Sequence, residues 1–167
     1  MFNRFYPNEY FDSIFLIDYD KLLKMGIKYL IYDIDNTLVP FDVKEAPKKI
    51  IDLFSSLKEK GFQICLLSNN NARRVNDFNV SLQLHNVSRA RKPFLHGINK
   101  AMNLLGSTVE STCLIGDQIF TDVWCGNRKK IHTILVKPTS DKDEITVKLK
   151  RGIERIVVKK YLKYLKK

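Results

Sequence analysis

The sequence predicts an α/β fold with a mainly parallel sheet. Short apolar runs alternate along the chain with amphipathic helical patterns, and this alternation is typical of linked β-α-β units. Four of the predicted strands lead directly into polar residues, as expected where parallel strands end beside a ligand. The length of 167 residues fits one domain, and a hydrophobic fraction of 44% indicates a globular chain.

Hydrophobic periodicity places the elements in order. The predicted strands are residues 28–32, 62–67, 84–87, 112–115 and 131–136. The predicted helices are residues 47–60, 72–79, 93–105 and 121–128. Pro47 suits a first helical turn and Gly61 suits a helix end, which frames the first helix. The run 62–67 is continuously apolar, so we expect that strand to be covered on both faces.

The two ends of the chain have a different character from the middle. Residues 1–25 are rich in aromatic side chains and are expected to pack against the domain, which we delimit as 1–140. Residues 141–167 predict a basic amphipathic helix that packs on the same domain. Its apolar face favours packing on the sheet, with binding to a membrane surface or a partner as the alternative.

The net charge of +11 is concentrated in residues 142–167, which hold ten Lys or Arg against three Asp or Glu. Such a charge serves solubility, or it attracts an anionic partner: nucleic acid, a lipid headgroup or a phosphorylated substrate. Charge alone does not choose among these.

No apolar run is long enough to span a bilayer, and the start of the chain lacks the apolar core of a secretory signal. We therefore expect a cytoplasmic protein, peripheral at the inner face of the membrane if the basic helix binds lipid. Three cysteines without metal-type spacing indicate a reducing compartment, with Cys65 and Cys113 acting as small hydrophobes.

The segment Asp33-Ile34-Asp35-Asn36-Thr37 carries the strongest chemical signal. Two carboxylates leaving a buried strand repel each other and are costly to desolvate, and a bound divalent cation removes that conflict. Mg²⁺ prefers such hard oxygen ligands, and a carboxylate can also attack phosphorus. A turn or a helix cap is the alternative for an isolated Asp-x-Asp, but apolar residues on both flanks argue against it.

Taken with three later segments, this motif resembles the haloacid dehalogenase (HAD) superfamily of phosphohydrolases. The segments are Leu66-Leu67-Ser68-Asn69-Asn70, Ala90-Arg91-Lys92-Pro93 and Gly116-Asp117-Gln118-Ile119-Phe120-Thr121-Asp122. All four occur in the family's order. The details resemble the YqeG-type branch of subfamily IIIA, whose eukaryotic mitochondrial relatives dephosphorylate phosphatidylglycerophosphate. The resemblance implies a three-layer HAD-like (Rossmannoid) fold.

The resemblance also implies a role for each matching residue. The catalytic pair is Asp33, the nucleophile, and Asp35, which protonates the leaving oxygen and then activates water. The phosphate-binding residues are Thr37, Ser68, Asn69 and Lys92, with Thr37 also steadying its loop. The Mg²⁺ ligands are Asp33, Asp35 through its main-chain carbonyl, and Asp117. Asp122 supports Lys92 or the metal.

Single residues among these have structural alternatives. Ser68 could cap the next helix, Lys92 could be a solvated loop lysine and Asp117 could be a turn residue. Arg128 could cap a short helix or bind substrate phosphate. The three histidines share no metal-type spacing and are given no catalytic role.

The short gaps between motifs predict that the site has no lid (cap) domain, since each gap holds only a loop and one or two elements. An open site suits a bulky substrate, and we expect a Mg²⁺-dependent phosphomonoesterase acting on phosphatidylglycerophosphate. The alternatives are a small sugar or nucleotide phosphatase, and a nucleic-acid or ribosome-associated binding protein on a phosphatase fold. The oligomeric state stays open.

Overall fold

A six-stranded parallel sheet forms the centre of the molecule. The structure is a computed structural model and describes residues 3–140 and 145–165. The strands are β1 (Glu9–Phe11), β2 (Tyr29–Tyr32), β3 (Gln63–Leu67), β4 (His85–Val87), β5 (Thr112–Gly116) and β6 (His132–Val136). They lie in the order β1-β6-β5-β2-β3-β4, and every neighbouring pair is parallel.

Helices cover both faces of this sheet, which gives three layers. They are α1 (Tyr19–Lys24), α2 (Lys48–Glu59), α3 (Ala72–Asn79), α4 (Leu95–Leu105), α5 (Trp124–Lys129) and α6 (Ile145–Leu165). Side chains alternate between faces along a strand. In β2, Leu30 and Tyr32 pack with α1, α2 and α3, whereas Ile31 packs with α4 and α5.

These observations confirm the predicted α/β class, its three layers and its mainly parallel sheet. The five predicted strands and four predicted helices are all present within one or two residues, with two local differences. Helix α4 begins at Leu95 rather than at residue 93, and Phe94 is its N-cap. The single helix predicted over 121–128 is a π-helical turn, Ile119–Val123, running into α5.

The lead-in segment packs on the domain, as expected, and it also contributes an edge strand that was not predicted. Strand β1 pairs with β6, and the Glu9 carboxylate accepts hydrogen bonds from Lys21 Nζ (2.5 Å) and lies 3.0 Å from His132 Nε2. Further along, the hydroxyls of Tyr19 and Tyr32 are 2.8 Å apart in the core. The segment therefore belongs to the sheet and its core.

Among the side chains of the basic helix α6 that the structure describes, three are buried against the rest of the molecule. Val157 and Tyr161 are buried, and the Glu154 carboxylate accepts a hydrogen bond from the backbone N–H of Phe120 (3.2 Å). Residues 141–144, at the predicted domain boundary, lie outside the described residues, so the division of the chain at residue 140 stays a prediction. None of the described helices is long and apolar enough to cross a membrane.

Candidate active site

The candidate site lies at the carboxyl edge of the sheet. Strands β5, β2 and β3 are adjacent and parallel, so the residues that follow them meet at one place. These residues are Asp117, Asp33 and Ser68, and Lys92 follows the neighbouring strand β4. The structure thus brings together side chains that are up to 84 positions apart in the sequence (33 to 117).

Lys92 is the only cation in the buried centre of this site, among the side chains that the structure describes. Its ammonium donates to Asp33 Oδ1 (2.6 Å) and to the carbonyl of Leu67 (2.9 Å), and lies 2.7 Å from Asp122 Oδ1. Burial alone would lower the pKa of Lys92, but the carboxylates of Asp122 and Asp33 outweigh it and raise that pKa. Lys92 therefore stays charged, and it is not a solvated loop lysine.

Three buried carboxylates surround this lysine. Asp33, Asp117 and Asp122 each offer an oxygen, and these oxygens all lie within 4.8 Å of one another. Burial raises the pKa of Asp33 well above its usual range; Lys92 opposes this, whereas Asp122 and Asp117 add to it. The Thr37 hydroxyl lies 3.2 Å from Asp33 Oδ2 and 2.9 Å from Asp117 Oδ1, and its one proton serves one of them at a time.

One lysine against three buried carboxylates leaves an excess of negative charge. Burying charges is costly unless they are paired, and carboxylate oxygens are the ligands that hard divalent cations prefer. The residues present therefore fit a divalent metal ion. Asp122 completes the cluster and forms an ion pair with Lys92, and its supporting role stays a prediction.

Asp35 is held apart from this cluster by a residue that the sequence did not single out. Asp35 Oδ1 accepts two hydrogen bonds from Arg74, from Nε (3.0 Å) and Nη2 (2.8 Å), and Oδ2 accepts one from Asn70 Nδ2 (3.2 Å). Arg74 also donates to the carbonyl of Lys44 (2.9 Å). This fork fixes the orientation of the Asp35 side chain. A helical arginine 39 positions away gives no sequence signal for such a contact.

The loop after β3 positions the loop that carries Lys92. The Asn69 side chain accepts from the backbone N–H of Lys92 (2.7 Å) and donates to its carbonyl (3.1 Å). Both amide atoms of Asn69 are thus engaged by backbone, and its expected role as a phosphate ligand stays a prediction. The Ser68 hydroxyl accepts from the N–H of Asn70 (3.0 Å), two residues on, while Asn71 caps α3. Ser68 therefore does not cap that helix.

Gly116 makes room for Asp122. A Cβ atom at Gly116 would lie 2.3 Å from Asp122 Cγ, a distance that requires the carboxylate to move. The other oxygen, Asp122 Oδ2, accepts from the N–H of Gln118 (3.1 Å). The Gly116-Asp117 pair is therefore more than a turn, because the glycine admits one carboxylate and the next residue supplies another.

Arg128 and the cysteines lie outside the chemistry. Arg128 donates to the carbonyl of Pro93 (2.9 Å), just beyond Lys92, and does not reach the carboxylates. Cys65, Cys113 and Cys125 are buried and free, and burial raises the pKa of Cys65 to about 12 and that of Cys125 to about 11. Cys65 and Cys113 lie in the apolar core, where a thiol packs as a small hydrophobe.

The site is open, as predicted. Only a loop and α2 lie between Thr37 and Ser68, and only α3 and β4 with their loops lie between Ser68 and Lys92. All of those residues are described, and they include no lid domain. Water exclusion must therefore come from the substrate or a partner surface.

Comparison with known proteins gives one consistent result. The family described as HAD-hydrolase-like matches residues 89–159. The chain is 38% identical to a probable phosphatase, YqeG, from Bacillus subtilis, over 92% of this chain and 90% of that protein. It is also 26% identical to phosphatidylglycerophosphate phosphatase 1 of Arabidopsis thaliana, over 88% of this chain and 45% of that protein.

Solved structures show the same fold at low sequence identity. A cobalt-bound deoxy-D-mannose-octulosonate 8-phosphate phosphatase, YrbI, from Haemophilus influenzae matches with a TM-score of 0.56 and 17% identity, over 84% of this chain and 91% of that one. A predicted HAD-like hydrolase from Porphyromonas gingivalis matches with a TM-score of 0.56 and 14% identity, over 79% and 98%. At these identities the similarity concerns the fold alone.

Proposed function

This chain belongs to the HAD-like hydrolases and is a phosphatase, and we propose that it hydrolyses phosphate monoesters through a covalent intermediate on Asp33. The observation that carries the proposal is the buried cluster in which Lys92 contacts Asp33 and Asp122 beside Asp117. Phosphoryl transfer depends mainly on positioning and on stabilising charge on the transferring oxygens. A rigid buried lysine beside a carboxylate nucleophile supplies both.

In the first step, an oxygen of the Asp33 carboxylate attacks the phosphorus atom. The bond from phosphorus to the ester oxygen breaks, and the leaving oxygen takes a proton from Asp35. Lys92 offsets charge on the transferring group, and Ser68 and Thr37 bind its oxygens. Because both Asp35 oxygens are engaged by Arg74 and Asn70, one of them must exchange a partner to reach the leaving group.

In the second step, a water molecule attacks the phosphorus of the aspartyl-phosphate. The water gives its proton to Asp35, the bond between phosphorus and Asp33 breaks, and inorganic phosphate leaves. Both residues return to their starting protonation states. Arg74 is the positioning residue that returns Asp35 to one orientation between the steps.

We propose that the resident metal is Mg²⁺, held by the side chains of Asp33 and Asp117 and by the main-chain carbonyl of Asp35. When bound, Mg²⁺ would offset the negative charge of the carboxylates and of the phosphoryl group. The donor set supports this, since it consists of oxygens with no histidine or thiolate among the described residues of the cluster.

For the substrate, we propose phosphatidylglycerophosphate. The support is the similarity to a plant phosphatase named for that lipid, together with a site open enough for a large substrate. The exposed face of α6 adds to it, because Ile153 and Ile156 are exposed beside Lys159 and Lys163. Apolar and cationic side chains together suit the surface of an anionic membrane.

The test is phosphate release with and without Mg²⁺, from p-nitrophenyl phosphate and from phosphatidylglycerophosphate in detergent micelles. We expect metal-dependent turnover that Asp33→Asn abolishes. The matched control is Asp52→Asn, which removes an exposed carboxylate paired only with Lys48 on α2. Undiminished turnover by Asp33→Asn, or none by the unaltered protein on either substrate, would overturn the proposal.

A further inference from the structure

A cationic cavity adjoins the candidate active site. It has a volume of about 550 Å³ and is lined by Arg89, Arg91, Phe94 and His96. Both arginines are exposed, and neither forms an ion pair with a carboxylate of the described residues. Phe94 leaves 64% of its surface exposed at the rim. The mechanism proposed above uses none of these side chains.

This cavity lies on the outer side of the loop that carries Lys92. Along that loop Ala90 is buried in the apolar core and Lys92 in the site, whereas Arg89 and Arg91 are exposed and line the cavity. The backbone N–H of Arg89 donates to the carbonyl of Asn70 (2.8 Å), the residue that also touches Asp35. Arg89 is therefore hydrogen-bonded to a residue that contacts Asp35, and Arg91 directly precedes Lys92, which contacts Asp33.

The backbone of this wall is held in an unfavourable conformation. Arg89 has φ 48° and Arg91 has φ 55°, in the left-handed region that suits glycine, asparagine and aspartate better than arginine. Hydrogen bonds from the β3 loop hold it there, including that from the N–H of Ala90 to the carbonyl of Ser68 (2.9 Å). Two arginines held in this strained backbone conformation, two positions apart, suggest that their side chains have a function at these positions.

Charge decides what these arginines recognise. The interior of the site holds three buried carboxylates and one lysine, so a second anionic group of a substrate has no place there. Outside, two guanidinium groups offer the planar, forked donors that match phosphate oxygens. Resting on the phosphatase function proposed above, we propose that Arg89 and Arg91 bind a phosphodiester of the same substrate whose terminal phosphate enters the site. Phe94 contacts the apolar part of that substrate.

The experiment compares three substrates. p-Nitrophenyl phosphate has no second anion, deacylated glycerophosphoglycerol phosphate has a phosphodiester without acyl chains, and phosphatidylglycerophosphate in neutral detergent micelles has both. The variant is Arg89→Asn with Arg91→Asn, because asparagine tolerates the left-handed backbone. The control is Lys130→Asn, which removes a charge at an exposed residue with φ 63° that directly follows α5.

We measure, for each two-phosphate substrate, the ratio of its kcat/KM to that of p-nitrophenyl phosphate. The double variant is expected to lower this ratio at least about tenfold for both substrates, the size of a lost charged contact, whereas Lys130→Asn leaves it unchanged. Phe94→Ser should lower the ratio for the lipid alone.

Three results would overturn the subsite. The first is a kcat/KM ratio that the double variant leaves unchanged, and the second is an equal fall of that ratio in Lys130→Asn. The third is a fall of the ratio for the lipid micelles alone, because that result indicates attraction to a surface. If p-nitrophenyl phosphate is hydrolysed and neither two-phosphate substrate is, the subsite fails while the phosphatase function stands. Absence of any Asp33-dependent turnover is the failure of the function itself.

Discussion

Replacing Lys92 with methionine tests whether this lysine holds the carboxylate cluster together. Methionine keeps an unbranched side chain that is one atom shorter, and it removes the charge. The lysine side chain is 2% exposed, and its contacts at 2.6 Å and 2.7 Å are with two buried carboxylates. Removing one partner of a buried ion pair typically costs 3–5 kcal/mol. We therefore expect Lys92→Met to lower the free energy of unfolding by about 3–5 kcal/mol in metal-free buffer, out of a total of about 5–15 kcal/mol.

Added Mg²⁺ should return part of this loss. A cation at one hundred times its dissociation constant stabilises the folded state by about 2.7 kcal/mol, provided that it does not bind the unfolded chain. Because Asp33 and Asp122 lose their cation in the variant, we expect Mg²⁺ to stabilise Lys92→Met more than the unaltered protein.

The assay is urea unfolding followed by the fluorescence of Trp124, the single tryptophan. Lys100→Met, at an exposed position of α4, is the control and should change stability by less than about 0.5 kcal/mol. If Lys92→Met unfolds in metal-free buffer within about 1 kcal/mol of the unaltered protein, the carboxylates do not depend on this lysine and the reasoning is refuted.

Three further predictions concern residues around the site. Gly116→Ala places a Cβ 2.3 Å from Asp122 Cγ, so we expect a loss of about 1–3 kcal/mol in unfolding free energy and a lower kcat; unchanged melting and activity would contradict it. Burial raises the pKa of Glu9, but its lysine and histidine partners outweigh burial and lower the pKa below 4.5. The stability this gives is present above pH 4.5 and is lost as the pH falls through the lowered pKa, so Glu9→Gln should cost about 0.5–1 kcal/mol at pH 7 and less at a pH below 4.5. Urea unfolding at both pH values checks it, and a pH-independent difference would count against it. Arg74→Ala should lower kcat more than it raises KM. Arg74→Lys should restore only part of the lost kcat, because a single ammonium cannot make both hydrogen bonds of the guanidinium to Asp35. An effect on KM alone would assign Arg74 to substrate binding.

Most of the sheet could be predicted because its strands carry strong local signals. Strands such as 63–67 are apolar over nearly their whole length, and their ends are marked by polar residues. Strand β1 lacked such a signal, because it has three half-buried residues and is defined by pairing with β6. The π-helical turn at Ile119–Val123 was hidden for a related reason, since its backbone follows from contacts with distant residues such as Glu154.

In the site, too, some features have a local sequence signal and others depend on distant contacts. Asp33, Lys92 and Asp117 could be predicted as a set because each stands at the end of a strand or just beyond one, and a parallel sheet brings such ends together. The contact of Arg74 with Asp35, and the two hydrogen bonds between the Asn69 side chain and the backbone of Lys92, could not be predicted. They depend on side-chain directions across 39 and 23 positions. Sequence pattern predicts which elements meet, whereas tertiary packing decides which atoms touch.

The pairing of β1 with β6 has a consequence for synthesis of the protein. Glu9 lies in register with Ile134, so the first of the six described strands pairs with the sixth. Until β6 has emerged from the ribosome, β1 has no strand to join, and the aromatic segment around it stays without its partners during most of translation. Closure of so long a loop is slow and exposes apolar surface to aggregation. The edge of the sheet that is translated first is therefore the edge that is completed last.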